Sequence, residues 1–389
     1  MSAAGAPIML SAGESSGDLH GGTLCRALRA LAPDVGLVGM GGPRMAAAGM
    51  EVVADPTSHA VVGTSEAVGR LPALYRAYRA LVRRLREAPP RALVVIDFPE
   101  FNMRLARQAR RAGVPVIYFI PPQVWAWRRG RVRLIARLAS RVLAVFPFET
   151  ALYQSAGVAV EFVGHPLLDV LPVSLDRTAA RASLGVAPDE TLLGLLPGSR
   201  REEITRLLPA MLDAARRLAA PAGGAPPRFL LGLAPSVDRT VVEGLVAAAG
   251  RAAGAPAVEI VTRRTYELMA AADVILIASG TATLEAALLG APMVVCYRVS
   301  RVTELISRLL IRIPWISLPN IIAGRAVVPE LLQDAASGER LALEARRLLA
   351  EPAAAAAQRA AFAELRGRLG EPGVGQRAAR AVLAAARAA

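Results

Sequence analysis

Short runs of Val, Ile and Leu alternate along this chain with longer stretches in which apolar residues recur every three or four positions. That alternation predicts strand–helix–strand units and parallel sheets, because a strand buried on both faces reads as an unbroken apolar run and its crossover helix as an amphipathic one. "PIMLSA" predicts a first strand leading to a helix around 19–31, and "ALVVID" a strand before a helix around 102–112. "VPVIYFI" follows Gly113, a predicted helix terminator. A second series opens after 180 with "TLLGLLP", "RFLLGLAP", "AVEIVT", "DVILIAS" and "APMVVCY". Two α/β halves follow, with the boundary near "VGHPLLDVLPVSLDRTAA", where Pro166 and Pro172 interrupt regular structure. "APAGGAPPR" reads as a loop inside the second half. The expected domains are 1–170, 171–350 and a helical tail, 351–389, that can pack back on the first half.

Composition narrows the class. The 389 residues are 54% hydrophobic and 20% charged, which suits a folded globular chain. A net charge of +14 invites nucleic acid or an anionic membrane surface, but every one of the 46 basic residues is Arg, as an Arg- and Ala-biased genome would also produce. The missing Lys excludes a Walker P-loop, a Schiff-base lysine and a Lys nucleophile. Aromatic residues make up 4%, with no RNP-like pair and no zinc-finger spacing, so nucleic acid is a poor partner. Cys25 and Cys296 are too few for a disulfide framework and fit a reducing compartment. Neither a signal peptide nor an apolar span of about 18 residues is read, so a cytoplasmic protein is expected.

In open α/β sheets ligands sit beyond the carboxyl ends of strands, so the strand-to-helix turns are where chemistry is sought. "LPGSRREEITRLLP" offers Gly198 for a tight turn, Ser199 as a cap, and Arg200 with a forked donor suited to phosphate oxygens. An ordinary capped helix with solvated arginines fits the same letters. Pro209 suggests one short helix followed by another. In "IASGTATLEAALLG", Ser279, Gly280 and Thr281 close a strand and open a helix. With Thr281 as the cap the capping-box position is Leu284, leaving Glu285 free for a ribose diol or for solvent. "SAGESSGDLHGG" brackets Glu14 between glycines, which signals close approach of substrate or of a neighbouring helix. It is neither of the usual Gly-rich nucleotide motifs. In "VVIDFPEFNMRLARQ", Asp97 ends a buried strand, with Glu100 and Asn102 beyond Pro99. A partly desolvated carboxylate there suits a general base, and a turn-capping role is the alternative.

His20, His59 and His165 are the only histidines, without metal-ligand spacing, and no Asp-x-Asp occurs, so no metal and no cofactor is expected. Arg side chains and helix termini are left to stabilise any departing phosphate. A lone His such as His165 is ordinarily structural.

These turns together resemble the lipid-A-disaccharide synthase family. The matching elements, in family order, are "AGESSGD", "GGPRMAAAGM", "VVGTSEAVGRLP", "IDFPEFN", "PPQVWAWRRGR", "FPFE", "FVGHPL", "LPGSRREEI", "ASGTATLEAAL" and "SLPNIIAGRAVVPELLQ", spanning residues 11–333. The resemblance implies a GT-B fold, two Rossmann-like parallel-sheet domains facing an interdomain cleft. It implies UDP-2,3-diacylglucosamine as donor and 2,3-diacylglucosamine 1-phosphate as acceptor, giving a β-1,6-linked disaccharide phosphate and UDP. The family's catalytic aspartate falls on Asp97 and its diphosphate-region arginine on Arg200. Phe98 stands where a small residue is frequent and Glu100 where Asp is frequent.

Inversion from an α-linked donor to a β-linked product requires direct displacement with one base and a stabilised leaving diphosphate. Asp97 is the expected base, with Glu14, Glu100 or His165 assisting. Ser199, Arg200, Ser279, Gly280, Thr281, Glu285, Asn320 and Arg325 are expected on the donor. "RLPALYRAYRALVRRLRE" places Leu71, Leu74, Tyr75, Tyr78, Leu81, Val82 and Leu85 on one stripe edged by Arg76, Arg79 and Arg83. Such a helix lies in a membrane interface or packs on the first sheet. "ELISRLLIRIPWISLP", with Trp315, is a second interfacial candidate. Peripheral association with the inner membrane is therefore expected, and the oligomeric state stays open, a homodimer included. Competing readings are another UDP-sugar GT-B enzyme, such as a peptidoglycan glucosaminyltransferase or an epimerase.

Overall fold

The computed structural model describes residues 5–56, 66–122, 130–172, 175–219, 226–235, 237–300 and 314–387. His59, the loop at 220–225, residues 61–65 of "VVGTSEAVGRLP", residues 123–129 of "PPQVWAWRRGR" and the apolar stretch 304–313 lie outside them. The chain divides into two compact units, Met1–Val170 with Arg368–Ala389, and Leu171–Gly367.

The first unit is built on seven strands: β1 (Ile8–Ala12), β2 (Leu37–Met40), β3 (Glu51–Ala54), β4 (Ala92–Ile96), β5 (Val116–Phe119), β6 (Arg141–Ala144) and β7 (Ala159–Phe162). They lie in the order β3-β2-β1-β4-β5-β6-β7, every pair parallel. Side chains alternate between two apolar layers, so the strands read as continuous hydrophobic runs. Met9, Leu93, Val95, Val116 and Tyr118 face a core closed by helices Glu66–Glu87, Pro99–Arg111 and Gly130–Leu138. The alternate residues Ile8, Leu10, Val94 and Ile117 are equally buried. Helix Ser15–Leu31 packs against the C-terminal helix Val374–Arg387. There the Asp169 carboxylate accepts the Gly373 and Gly375 amides at 2.6 and 2.8 Å.

Within helix Glu66–Glu87 the sheet takes most of the apolar stripe. Ala77, Leu81 and Leu85 are buried, with Leu74, Tyr78 and Val82 packed beside them. Tyr75 departs from that stripe: it is 63% exposed, on the side of Arg76, Arg79 and Arg83.

The second unit carries β8 (Leu192–Leu196), β9 (Arg228–Leu233), β10 (Val258–Thr262), β11 (Val274–Ala278), β12 (Met293–Tyr297) and β13 (Glu330–Leu332). Their order is β10-β9-β8-β11-β12-β13, again all parallel. Leu193 and Leu195 join one core while Leu192 and Leu196 join the other, the period-two signature of a doubly covered strand. Pro209 does not divide two helices. Arg201–Ala219 is one helix with Pro209 inside it. A proline removes one hydrogen bond and strains the turn before it, at a cost of about 3 kcal/mol. Ile204, Leu207, Leu208, Met211 and Leu212 are buried on both sides of Pro209, and burying each fully stabilises by about 1.5–3 kcal/mol, which outweighs the break.

Candidate active site

Both sheets reverse their winding direction once, and the candidate turns lie at those two reversals. In the first unit the order switches between β1 and β4, whose ends pair as Ala12 with Ile96. Asp97 follows Ile96 directly, and Glu14 follows Ala12 across Gly13. In the second unit it switches between β8 and β11, with Leu196 paired to Ile277. The turns 197–200 and 279–280 are thereby brought side by side. A switch point opens a crevice at the strands' carboxyl ends, because the connections on its two sides run off in opposite directions.

Asp97 is half-buried, and its carboxyl is raised to about 6, first by burial and then by the neighbouring Glu14 charge, partly offset by a hydrogen bond from the Phe98 amide. It does not cap the helix that follows. Phe98 holds the N-cap position, and Asp97 and Phe98 are both left-handed, at φ 45° and 47°. Two consecutive non-glycine residues in that region cost of order 1–3 kcal/mol each and persist only where their surroundings hold them. Here the buried Asn102 amide and the Tyr118 hydroxyl donate to the Asp97 carbonyl at 2.8 and 3.2 Å. Asn102 also donates to the carbonyls of Ser11 and Ile96 and accepts the Ser11 hydroxyl at 2.6 Å, tying the ends of β1 and β4 together.

Packing accounts for two glycines of this motif. A side chain at Gly13 would collide with the Phe98 ring, and one at Gly21 with Met45. Asp18, in the same motif, is buried and accepts the amides of Gly42, Arg44 and Met45 at 2.9–3.1 Å, closing the start of helix Pro43–Ala47. Glu14 itself is exposed, at the N-cap of helix Ser15–Leu31 without a capping bond. Glu100 is exposed and ion-paired with Arg131.

His165 meets the Glu14 motif through His20. It is buried against Phe146 and edge-on to His20, and its Nδ1 accepts the Leu167 amide. Burial, with His20 adding to it, lowers it to about 3, so the imidazole is neutral at physiological pH.

In the second unit Gly198 has φ 114°, and Glu203 reaches back from the first turn of helix Arg201–Ala219. One carboxylate oxygen accepts the Ser199 amide at 3.2 Å and the other pairs with Arg200 at 3.4 Å. Arg200 is 70% exposed. Tyr297, at the end of β12, feels both the Glu203 carboxylate and the Arg200 guanidinium. Helix Thr281–Leu288 starts one residue earlier than a Thr281 cap requires: Gly280 is the N-cap, and Thr283 stands third and bonds the Gly280 carbonyl at 2.7 Å. No side chain caps this helix, and it starts just after the end of β11, so its first amides lie at the β8–β11 switch without a side-chain acceptor. Glu285, one turn in, is half-buried and raised to about 7 by burial. The Ser279 hydroxyl donates to the Ile316 carbonyl at 3.0 Å.

Asn320 is buried with its amide fully engaged. It donates to the Val328 carbonyl and Glu330, and accepts the amides of Val327 and Val328. It thus braces the loop bearing Arg325, which is exposed and paired with Glu364 at 3.0 Å. Glu330 gathers the amides of Ile316 and Ser317 as well. Sequence reasoning placed Asn102 beside Asp97 without a role for it, and missed Tyr118, Glu203, Tyr297 and Glu330. A Glu three residues into a helix that begins at a Gly-Ser turn was the one available signal, and it pointed to Glu203.

Comparison with known proteins adds the identity. The family profile described as Lipid-A-disaccharide synthetase matches residues 8–384. The chain belongs to that family. The lipid-A-disaccharide synthase of Geobacter metallireducens is 45% identical over 378 residues, 97% of this chain and 96% of the relative. Among solved structures, the UDP-GlcNAc 2-epimerase of Neisseria meningitidis bound to UDP-GlcNAc covers 98% of this chain and 99% of its own, at TM-score 0.62 and 12% identity. The calicheamicin glycosyltransferase CalG4 covers 98% of both chains, at TM-score 0.60 and 16% identity. Likeness at these identities establishes the GT-B fold. As a member of the lipid-A-disaccharide synthetase family, the chain is a glycosyltransferase of lipid A biosynthesis. Among the described residues, none of its helices is long and apolar enough to cross a membrane.

Proposed function

We propose that this enzyme transfers 2,3-diacylglucosamine from its UDP derivative to the 6-hydroxyl of 2,3-diacylglucosamine 1-phosphate, with inversion. The observation that carries the reading is the pairing of chemistry with topology. A carboxylate raised to about 6 stands at one switch point, and an uncapped helix start beside Ser199 and Arg200 stands at the other.

In this reading Asp97 takes the proton of the acceptor 6-hydroxyl as its oxygen attacks the anomeric carbon. A base of that strength is ionised at neutral pH yet basic enough to accept a proton in the transition state. The bond to the UDP oxygen breaks on the opposite face, so the α-linkage becomes β. Arg200, the Ser199 amide and the start of helix Thr281–Leu288, with Ser279 and Gly280, stabilise the diphosphate as its charge develops. Glu285 accepts from the ribose hydroxyls. Glu14 raises Asp97 and Glu100 orients Arg131; His165 supports the fold around them. Asn320 holds the loop that presents Arg325. The related fold of an epimerase bound to UDP-GlcNAc supports a UDP-sugar ligand.

The acylated substrates supply a reason for membrane contact. Tyr75, Arg76, Arg79 and Arg83 form an exposed aromatic and basic edge suited to an anionic interface. We place the enzyme at the cytoplasmic face of the inner membrane. Binding to anionic vesicles should weaken as salt rises, and salt-insensitive binding would count against this placement.

Incubation with both lipid glucosamines tests the reaction. The expected products are UDP and a β-1,6 disaccharide phosphate. UDP release only with an unlipidated muropeptide acceptor would instead indicate a peptidoglycan glucosaminyltransferase.

A further inference from the structure

The turn read above as a diphosphate seat is occupied by the protein's own carboxylate. Glu203 places one oxygen on the Ser199 amide at 3.2 Å and the other on Arg200 Nη1 at 3.4 Å. Its side chain is only 16% exposed, whereas that of Arg200 is 70% exposed. Gly198 makes room for it: a Cβ there would lie 2.5 Å from Glu203 Oε2. The geometry is that of an anion held by a backbone amide and a guanidinium, the two donors that suit a phosphate oxygen.

We propose that the Glu203 carboxylate competes with the nucleotide's diphosphate for the Ser199 amide and Arg200, and so sets how tightly UDP is retained after transfer. The proposal rests on the reading that these two donors hold the diphosphate. A dianionic diphosphate and a carboxylate repel at this distance, so nucleotide binding must turn Glu203 out of the turn. The carboxylate re-forms its two bonds as UDP leaves. Glu203 never touches the reacting atoms, and acts by occupying and vacating the seat.

The test is calorimetric titration of the full chain with UDP and with uridine, which lacks the phosphates. The ratio of the two affinities isolates the diphosphate contribution. Glu203→Gln keeps a neutral acceptor for the Ser199 amide and removes the charge. It should raise the UDP-to-uridine ratio about 5- to 30-fold and strengthen product inhibition by UDP to the same degree. A ratio that is unchanged or lower overturns the proposal, because a purely structural cap would weaken the seat when altered. Should Glu203→Gln lose its cooperative melting transition, Glu203→Ala, read by the same ratio, decides in the same way. Arg200→Ala serves as the separate control. If it leaves the ratio unchanged, the diphosphate assignment itself fails; if it lowers the ratio while Glu203→Gln does not raise it, only the competition fails.

Discussion

Glu14 and Asp97 stand at the ends of adjacent parallel strands, and the charge of the first helps hold the carboxyl of the second at about 6. Burial is the larger cause, so the pair resembles a desolvated base with a tuning neighbour more than a proton-sharing dyad. Turnover should fall as pH drops through about 6, where Asp97 gains a proton. Glu14→Gln should move that inflection downward, which a pH–kcat/KM profile measures.

Asp97→Asn should lower kcat by about 10²–10⁴-fold. It should also stabilise the protein. A carboxyl raised from its ordinary value of 3.8 penalises the fold once the unfolded chain ionises. The penalty is absent below about pH 4, grows between 4 and 6, and is complete above 6. Discounted for partial exposure, the gain near pH 7.5 is about 1–2 kcal/mol and vanishes near pH 3.5, as melting at the two pH values would show. Near-normal turnover would remove Asp97 as the base.

Arg200→Ala should cost about 2–4 kcal/mol of transition-state stabilisation. Because Arg200 is mostly exposed, its loss should leave the melting temperature within about a degree or two while kcat/KM falls. Unchanged kinetics would show that the guanidinium does not meet the leaving group.

Gly13→Ala should destabilise by about 1–3 kcal/mol, since the added methyl group meets the Phe98 ring. Phe98→Ala in the same chain should recover most of that loss, measured as the interaction energy of a double-mutant cycle. Strict additivity would show that the glycine serves something other than the ring.

Glu285→Gln should reduce the preference for UDP over its 2′-deoxy analogue by about 1–2 kcal/mol, the value of a hydrogen bond to a charged acceptor less its neutral replacement. The same preference should weaken in the native enzyme as pH falls through about 7, where Glu285 takes up a proton.

How far these features were readable depended on the range of the interaction behind them. Periodicity located the strands, Gly113 ended its helix, and the turns carrying Asp97, Ser199, Arg200 and Ser279–Thr281 were visible because local backbone geometry demands those residue types nearby in sequence. Pro209 misled for the complementary reason: proline's local cost was legible, but the burial that overrides it comes from elements far along the chain. The stripe on Glu66–Glu87 likewise could not name its partner, and Tyr75 was sorted from Leu81 only by the sheet beneath them.

By itself the sequence determined the alternation of strand and helix, the chemistry available at each turn and the family signature in its order, all consequences of neighbours within a few positions. The tertiary structure decided which turns share a switch point. It made Asn102 and Tyr118 the support of a strained Asp97, and it put the Glu203 carboxylate against the Ser199 amide and Arg200. Strand order and the desolvation that raises a carboxyl both depend on groups brought together from distant parts of the chain. No local pattern encodes them, because free energy there is set by packing and dielectric surroundings rather than by the residue's own preference.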